Sequence, residues 1–242
     1  APIKPEDPAW ARRAAHYARQ AGNPLLAANI EFKGEGREPK SAFDFFLVGE
    51  NSYLLGELPA ARKALAEALR LQPDHFWAQY LLAEIAIRSV PPVPAQANVY
   101  LNFCITLKPD FAPLYLMRVI ANEGLSLHSQ AEEDYKTALE KGPPDAMRYG
   151  ILFNRATTRL RQRKFDEALA DLNEAKKIRP DEATLHLEIG LTQWQRQSRD
   201  EAFGALDRAI EIDPKFAAAY AARARFRQEA GEAAKALADN AK

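Results

Sequence analysis

Apolar residues recur three and four apart along most of the chain, and proline, glycine or a short polar run breaks the pattern at intervals. That spacing puts one apolar face on an α-helix and predicts a series of amphipathic helices joined by short turns. The clearest stretch runs from Ala183 to Phe216. It reads as two helices of similar length with a polar turn at Gln197–Asp200, closed by Pro214, which cannot continue a helix and disfavours helix in the residue before it. Its small residues are Gly190, Ala202 and Ala209.

The same marks return upstream. An alanine stands near the start of each second helix, at Ala61, Ala97, Ala131, Ala168, Ala202 and Ala236. Seven residues later come Ala68, Cys104, Ala138, Ala175 and Ala209, and five after those come Pro73, Pro109, Pro143, Pro180 and Pro214. The three series move together with spacings of 36, 34, 37 and 34 residues. Two helices approach closely only where the facing side chain is small, so a small residue at a fixed period marks a repeated helix–helix seam. Asp74, Asp110, Asp145 and Asp181 follow the prolines as candidate N-caps. Gly56 and Gly231 stand between paired helices, where a positive φ is useful.

These landmarks resemble the tetratricopeptide repeat family, whose 34-residue unit carries small residues near positions 8, 20 and 27 and a proline near 32. Position 8 here is Gly49, Ala83, Val119, Ala156, Gly190 and Ala224. The resemblance implies an all-α, right-handed solenoid of helix-turn-helix repeats at 42–75, 76–111, 112–145, 146–182 and 183–216, with a partial sixth at 217–242. Residues 1–40 read as an irregular helical pair: Asp7-Pro8 opens a helix to Ala21, Pro24 opens a second to Phe32, and a loop follows to Pro39. Such a pair suits an atypical terminal unit that covers the end of the array. The second repeat carries Val90-Pro91-Pro92-Val93-Pro94 between its helices, two residues more than the family turn. The fourth has about three extra residues, expected before its first helix. The runs Phe76 to Ala83, Leu107 to Ala112, Phe153-Asn154-Arg155 and Phe165 to Ala168 are also similar to repeat regions of large bacterial multidomain proteins, some of them kinase-linked.

Composition changes little in this picture but narrows the function. Lys plus Arg is 33 and Asp plus Glu is 33, with twelve of each sign in residues 1–110 and twenty-one of each in 111–242. This lacks the basic footprint of a nucleic-acid binder, so no nucleic-acid partner is expected. No apolar run approaches the roughly 18 residues of a membrane span. The single cysteine, Cys104, excludes an intrachain disulfide framework and is compatible with a reducing, cytoplasmic compartment. The chain starts at Ala1 without Met and ends at Lys242 inside a helical pattern, so a segment of a longer protein is expected.

No catalytic, metal or cofactor site is expected. His16, His75, His128 and His186 lack partners at metal-ligand spacing, and there is no glycine-rich phosphate loop or nucleophile elbow. Cys104 occupies an alanine position and reads as a small buried thiol.

Two binding features carry weight. By the resemblance, positions 2, 5, 9 and 12 of each first helix line a concave groove for a partner peptide or segment. The candidate groove residues are Phe43, Phe46, Glu50, Tyr53, Trp77, Tyr80, Glu84, Phe153 and Trp194; the same positions hold Ile87, Pro113, Leu116, Ile120, Glu123, Gly150, Thr157, Leu160, Thr184, Leu187, Leu191, Ala218, Ala221, Arg225 and Gln228. Aromatic side chains supply much of the energy at binding hot spots. Glu50 sits where a chaperone-tail clamp would need a cation, so that ligand is not expected. Second, Arg148, Arg155, Arg159, Arg161, Arg163 and Lys164 form a basic stretch without an acid. It is read either as an acidic-ligand patch at Arg155, Arg159 and Arg161 or as a face neutralised by Glu167, Asp171 and Glu174 on the next helix. The function read from these features is a protein–protein interaction scaffold; the alternatives are a regulatory or structural segment of a larger protein and a self-association module.

Overall fold

A computed structural model describes residues 39–240. Almost all of the helical pair expected in residues 1–40 lies outside the described residues. Among the described residues there are twelve helices and no strand, and the protein is an all-α helical repeat solenoid. It divides into two compact units, with the division inside the sixth helix after Thr137. The first unit holds α1 (Ala42–Leu54), α2 (Leu58–Leu71), α3 (Phe76–Arg88), α4 (Pro94–Leu107), α5 (Ala112–Gly124) and most of α6 (His128–Glu140). The second holds α7 (Asp145–Arg161), α8 (Phe165–Ile178), α9 (Ala183–Gln195), α10 (Arg199–Ile212), α11 (Ala217–Glu229) and α12 (Ala233–Asn240).

Within each unit, consecutive helices pack on one another through the repeated small residues. Ala61 and Ala68, Ala97 and Cys104, Ala168 and Ala175, and Ala202 and Ala209 are all fully buried. Between each pair a leucine fills the seam: Leu65, Leu101, Leu172 and Leu206, each with no exposed surface. Spaced at i, i+4 and i+7, these residues form one narrow stripe per second helix. The partner at position 8 must yield. A Cβ added to Gly49 would lie 2.6 Å from Leu65 Cγ, and one added to Gly190 would lie 2.9 Å from Leu206 Cγ.

The caps differ from the sequence reading. Asp74, Asp110 and Asp181 stand one residue before the N-caps, which are His75, Phe111 and Glu182, and Asp145 is the first residue of α7. None of the four caps a helix. His75 does, its Nδ1 accepting from the Ala78 amide at 3.2 Å. Ser41 and Asp44 form a reciprocal capping box on α1. The extra residues of the fourth repeat also fall elsewhere than expected. They lengthen α7 to 17 residues against 13 in α5 and α9, rather than preceding it. Pro144 at the N-cap and Asp145 in the first turn favour this early start. The proline-rich link between α3 and α4 is folded back: Ser89 Oγ and the Val93 amide both donate to the Ala86 carbonyl, at 3.0 and 2.9 Å.

Three further repeats of geometry appear. The turn inside each of five helix pairs places one residue at positive φ: Gly56, Ser126, Arg163, Gln197 and Gly231. Two are the glycines expected there; the other three adopt the left-handed conformation without being glycine. At position 4 of the first helix, a side chain donates to the carbonyl of the proline six residues earlier. Gln79 Nε2 reaches Pro73 at 3.0 Å, Tyr115 Oη reaches Pro109 at 2.8 Å, and His186 Nε2 reaches Pro180 at 2.8 Å. A carbonyl only accepts, so His186 carries its proton on Nε2.

The third repeat of geometry is ionic. Arg118, Arg155 and Arg223, all at position 7, each grip an aspartate sixteen residues later with two parallel bonds. The acceptors Asp134, Asp171 and Asp239 are buried. A second donor four residues after the arginine completes each site: Asn122, Arg159 or Arg227. Where position 7 is aliphatic the acid is missing as well: Val48 faces the register of Ala64, and Ile189 that of Ala205. The pair is kept whole or replaced whole, as expected when a lone buried charge is far worse than either alternative.

Candidate functional site

In the first unit, the first-helix positions carry a row of aromatic rings with unequal exposure. Trp77 is 47% exposed and Phe43 39%. Tyr80 is half-buried, its ring 5.6 Å from Trp77 edge-on and 6.3 Å from Phe76. Lys108 holds its Nζ 4.3 Å from the Phe76 centroid and 5.3 Å from that of Trp77, a cation over the cluster. Phe46 does not face outward as the groove register implied. It is 6% exposed, part of the core between α1 and α3, and packed 4.8 Å from the His75 ring. The cap histidine covers it.

Tyr53 and Glu84 meet. The phenol hydrogen-bonds the Glu84 carboxylate, and burial together with this acid pushes the hydroxyl up to about 12. Arg88 pairs with Glu84 at 2.8 Å and lies 5.9 Å from the Tyr53 ring centroid. Glu84 therefore brings its own counter-ion to the surface. Glu50 is half-buried on α1. Cys104 is fully buried, and burial pushes its thiol up to about 12, far from a nucleophile's range.

In the second unit, the two aromatic candidates serve the fold. Trp194 stacks on Phe226 of α11 and donates its indole N–H to Glu229 at 3.0 Å. Phe153 stacks on Tyr149 and packs on the core of α7, α8 and α9. The basic stretch divides. Arg155 and Arg159 are ion-paired to the single buried carboxylate of Asp171, at 2.6 and 2.7 Å, so they are not a free acidic-ligand patch. Arg161 turns the other way, its Nη2 donating to Thr158 Oγ1.

Arg161 lines a pocket of about 350 Å³. Leu160, Arg163, Glu188, Leu191 and Arg225 share it. Leu160, Leu191 and Arg225 are groove positions by the sequence register. Glu188 was missed. Its signal was a charge at position 6, where the other first helices carry Leu47, Leu81, Met117, Asn154 and Ala222, none of them charged. Burial alone raises the Glu188 carboxyl above the ordinary carboxylate range. Among the described residues no group of three or more His, Cys, Asp or Glu could hold a metal ion, and no helix is long and apolar enough to cross a membrane.

Comparison with known proteins agrees with this geometry. A tetratricopeptide repeat family profile matches residues 54–89 and 153–215. No curated protein matches the chain in sequence. Among solved structures, MamA aligns at 18% identity over 72% of this chain and 92% of its own, with a TM-score of 0.65. YrrB, described as a TPR protein with an unusual peptide-binding site, aligns at 20% identity over 76% and 92%, with a TM-score of 0.63. A tetratricopeptide repeat protein from Parabacteroides merdae aligns at 14% identity over 95% and 89%, also at 0.63. At these identities the likeness is one of fold.

Proposed function

With the chain identified as a tetratricopeptide repeat protein, we propose that it is a protein–protein interaction scaffold whose first-helix face over residues 42–88 takes an extended segment of a protein partner. The observation that carries this is the exposure of Trp77, packed beside Tyr80, with Phe43 also exposed on the first helix of the preceding repeat. A large exposed indole already packed edge-on against its neighbours is a rigid anchor that loses little conformational freedom on binding. Phe46 supports the site from beneath, and the Tyr53–Glu84–Arg88 cluster offers polar contacts at its edge. Proteins of this family are generally non-enzymatic scaffolds, and we read no chemistry into this chain.

Site-specific photo-crosslinking tests the reading. A crosslinking residue at position 77 should capture the partner from the source cell, and the same residue at Lys63, on α2, should not. Equal capture from both positions would remove the case for this face. Purified partner segments should then bind with Trp77→Ala weakened by about tenfold or more, the scale of an aromatic hot spot.

A second reading, self-association or docking within a larger protein, has one observation in its favour. Helix α4 has no charged residue, and Val99, Phe103 and Leu107, four apart, are 67%, 38% and 41% exposed. A row of exposed apolar side chains on a helix without charges suits a covered face. Sedimentation analysis of the wild type against Phe103→Glu distinguishes this case: a dimer dispersed by the substitution supports it.

A further inference from the structure

The pocket of the second unit gathers two arginines that no acid holds tightly. Several other arginines of the unit are neutralised by an acid: Arg155 and Arg159 by Asp171, Arg196 by Asp166, Arg208 by Asp181, and Arg227 by Asp239. Two pocket arginines are different. Arg163 makes no ion pair among the described residues, and its backbone sits at φ 60, which fixes where the side chain departs. Arg225 has only Glu229, at 3.8 Å and half-exposed. Both line a cavity whose one carboxylate, Glu188, pairs with neither. Leu160 and Leu191 supply apolar wall between these charges. Guanidiniums brought to one cavity and not paired with its acid suit a carboxylate ligand, and the leucines suit an aliphatic neighbour of that carboxylate.

We propose that this pocket is an anion subsite that holds an acidic side chain, flanked by an apolar one, from an internal segment of a protein partner, with Arg163 and Arg225 as its cations. The proposal rests on the scaffold reading and gives the partner a charge in the second unit. Charge complementarity selects the occupant: Arg163, without an ion pair among the described residues, and Arg225, held only by Glu229 at 3.8 Å, line the cavity together. Glu188 acts as a filter. Its carboxylate opposes an anion entering the pocket, so removing its charge should tighten binding rather than weaken it. A ligand that instead needed Glu188 as an acceptor would show the opposite sign.

The probe is a fluorescein-labelled peptide of alternating Glu and Leu, blocked at both ends so that it has no terminal carboxylate. Its control replaces every Glu by Gln. Anisotropy titrations of the full chain should show binding of the acidic peptide, weaker binding at raised salt, and little binding of the control. Arg225→Gln and Arg163→Asn should each weaken binding by about fivefold, the upper range of a partly exposed charge pair. Asparagine is chosen because it tolerates the left-handed backbone at 163. Glu188→Gln should strengthen binding, and Lys63→Ala, on α2, should leave it unchanged. Circular dichroism melts confirm that each variant is folded. Equal binding of the two peptides, or full binding by both arginine variants, would overturn the subsite. So would a single-stranded oligonucleotide that displaces the peptide and itself depends on Arg225. If the subsite fails while crosslinking at position 77 persists, the scaffold reading stands; if position 77 also captures nothing, both fall.

Discussion

The indole of Trp194 lies parallel to the phenyl ring of Phe226, with 4.1 Å between centroids and 3° between planes. Phe226 has no exposed surface, so this contact ties α9 to α11 through a ring at the core. Trp194→Ala removes the stack and leaves Glu229 without its indole donor. The expected loss is about 3 kcal/mol, the lower end for truncating a packed aromatic. Urea denaturation checks it, and a stability within experimental error of wild type would show the stack to be dispensable.

Asp171 answers two guanidiniums, so its removal should be felt twice. Asp171→Ala takes a buried carboxylate from both Arg155 and Arg159 and is expected to destabilise by about 3 kcal/mol. The chain itself supplies the rescue. Repeat 183–216 uses Ile189, Gln193 and Ala205 at the matching positions. The triple variant Arg155→Ile, Arg159→Gln and Asp171→Ala should recover most of the loss. A triple variant no more stable than Asp171→Ala alone would show that the apolar set depends on its own repeat.

His75 gives the first unit an acid-sensitive point. Its Nδ1 accepts the Ala78 N–H, which requires an unprotonated nitrogen, and burial lowers its pKa below 6.5. The fold thus binds the proton less readily than the unfolded chain. The stabilisation is complete above 6.5 and is lost as pH falls from there toward the lower folded value. His75→Ser keeps an N-cap acceptor and removes the titration. Urea midpoints of the wild type should fall more than those of His75→Ser between neutral pH and mild acid; parallel curves would count against this account.

Gln197 sits at φ 63 with an exposed side chain, a conformation that glycine adopts without a Cβ clash. The chain uses glycine at the same turn position in Gly56 and Gly231. Gln197→Gly should raise stability by up to about 1 kcal/mol, the steric relief exceeding the added freedom of the unfolded chain. Thermal unfolding measures it, and a lower midpoint would mean the unfolded-state entropy dominates.

How much of this was legible in the sequence depends on the range of each interaction. The alanine and proline series could be read because a tight seam admits only small residues, whatever lies elsewhere. The caps misled because an aspartate one residue before an N-cap looks like the cap itself, as at Asp74 beside His75. Phe46 and Trp77 both hold groove positions, yet one is buried, because the histidine that caps α3 covers it. Arg155 and Arg225 belong to the same class in sequence and differ in whether an acid lies within reach. For Arg155 that acid is Asp171, one of the three neutralising acids the sequence offered, at the same sixteen-residue separation that joins Arg118 to Asp134 and Arg223 to Asp239. Glu188 needed three helices to be placed before its surroundings had meaning.

The bonds from Gln79, Tyr115 and His186 to the preceding proline carbonyls reach back across the boundary between one repeat and the next. Each hangs the opening helix of a repeat on the last residues of the one before. Fraying of one helix pair therefore strips an acceptor from its neighbour and leaves a largely buried donor without a partner. Disruption should pass along the chain in whole repeats, in the manner of nearest-neighbour coupling, rather than residue by residue.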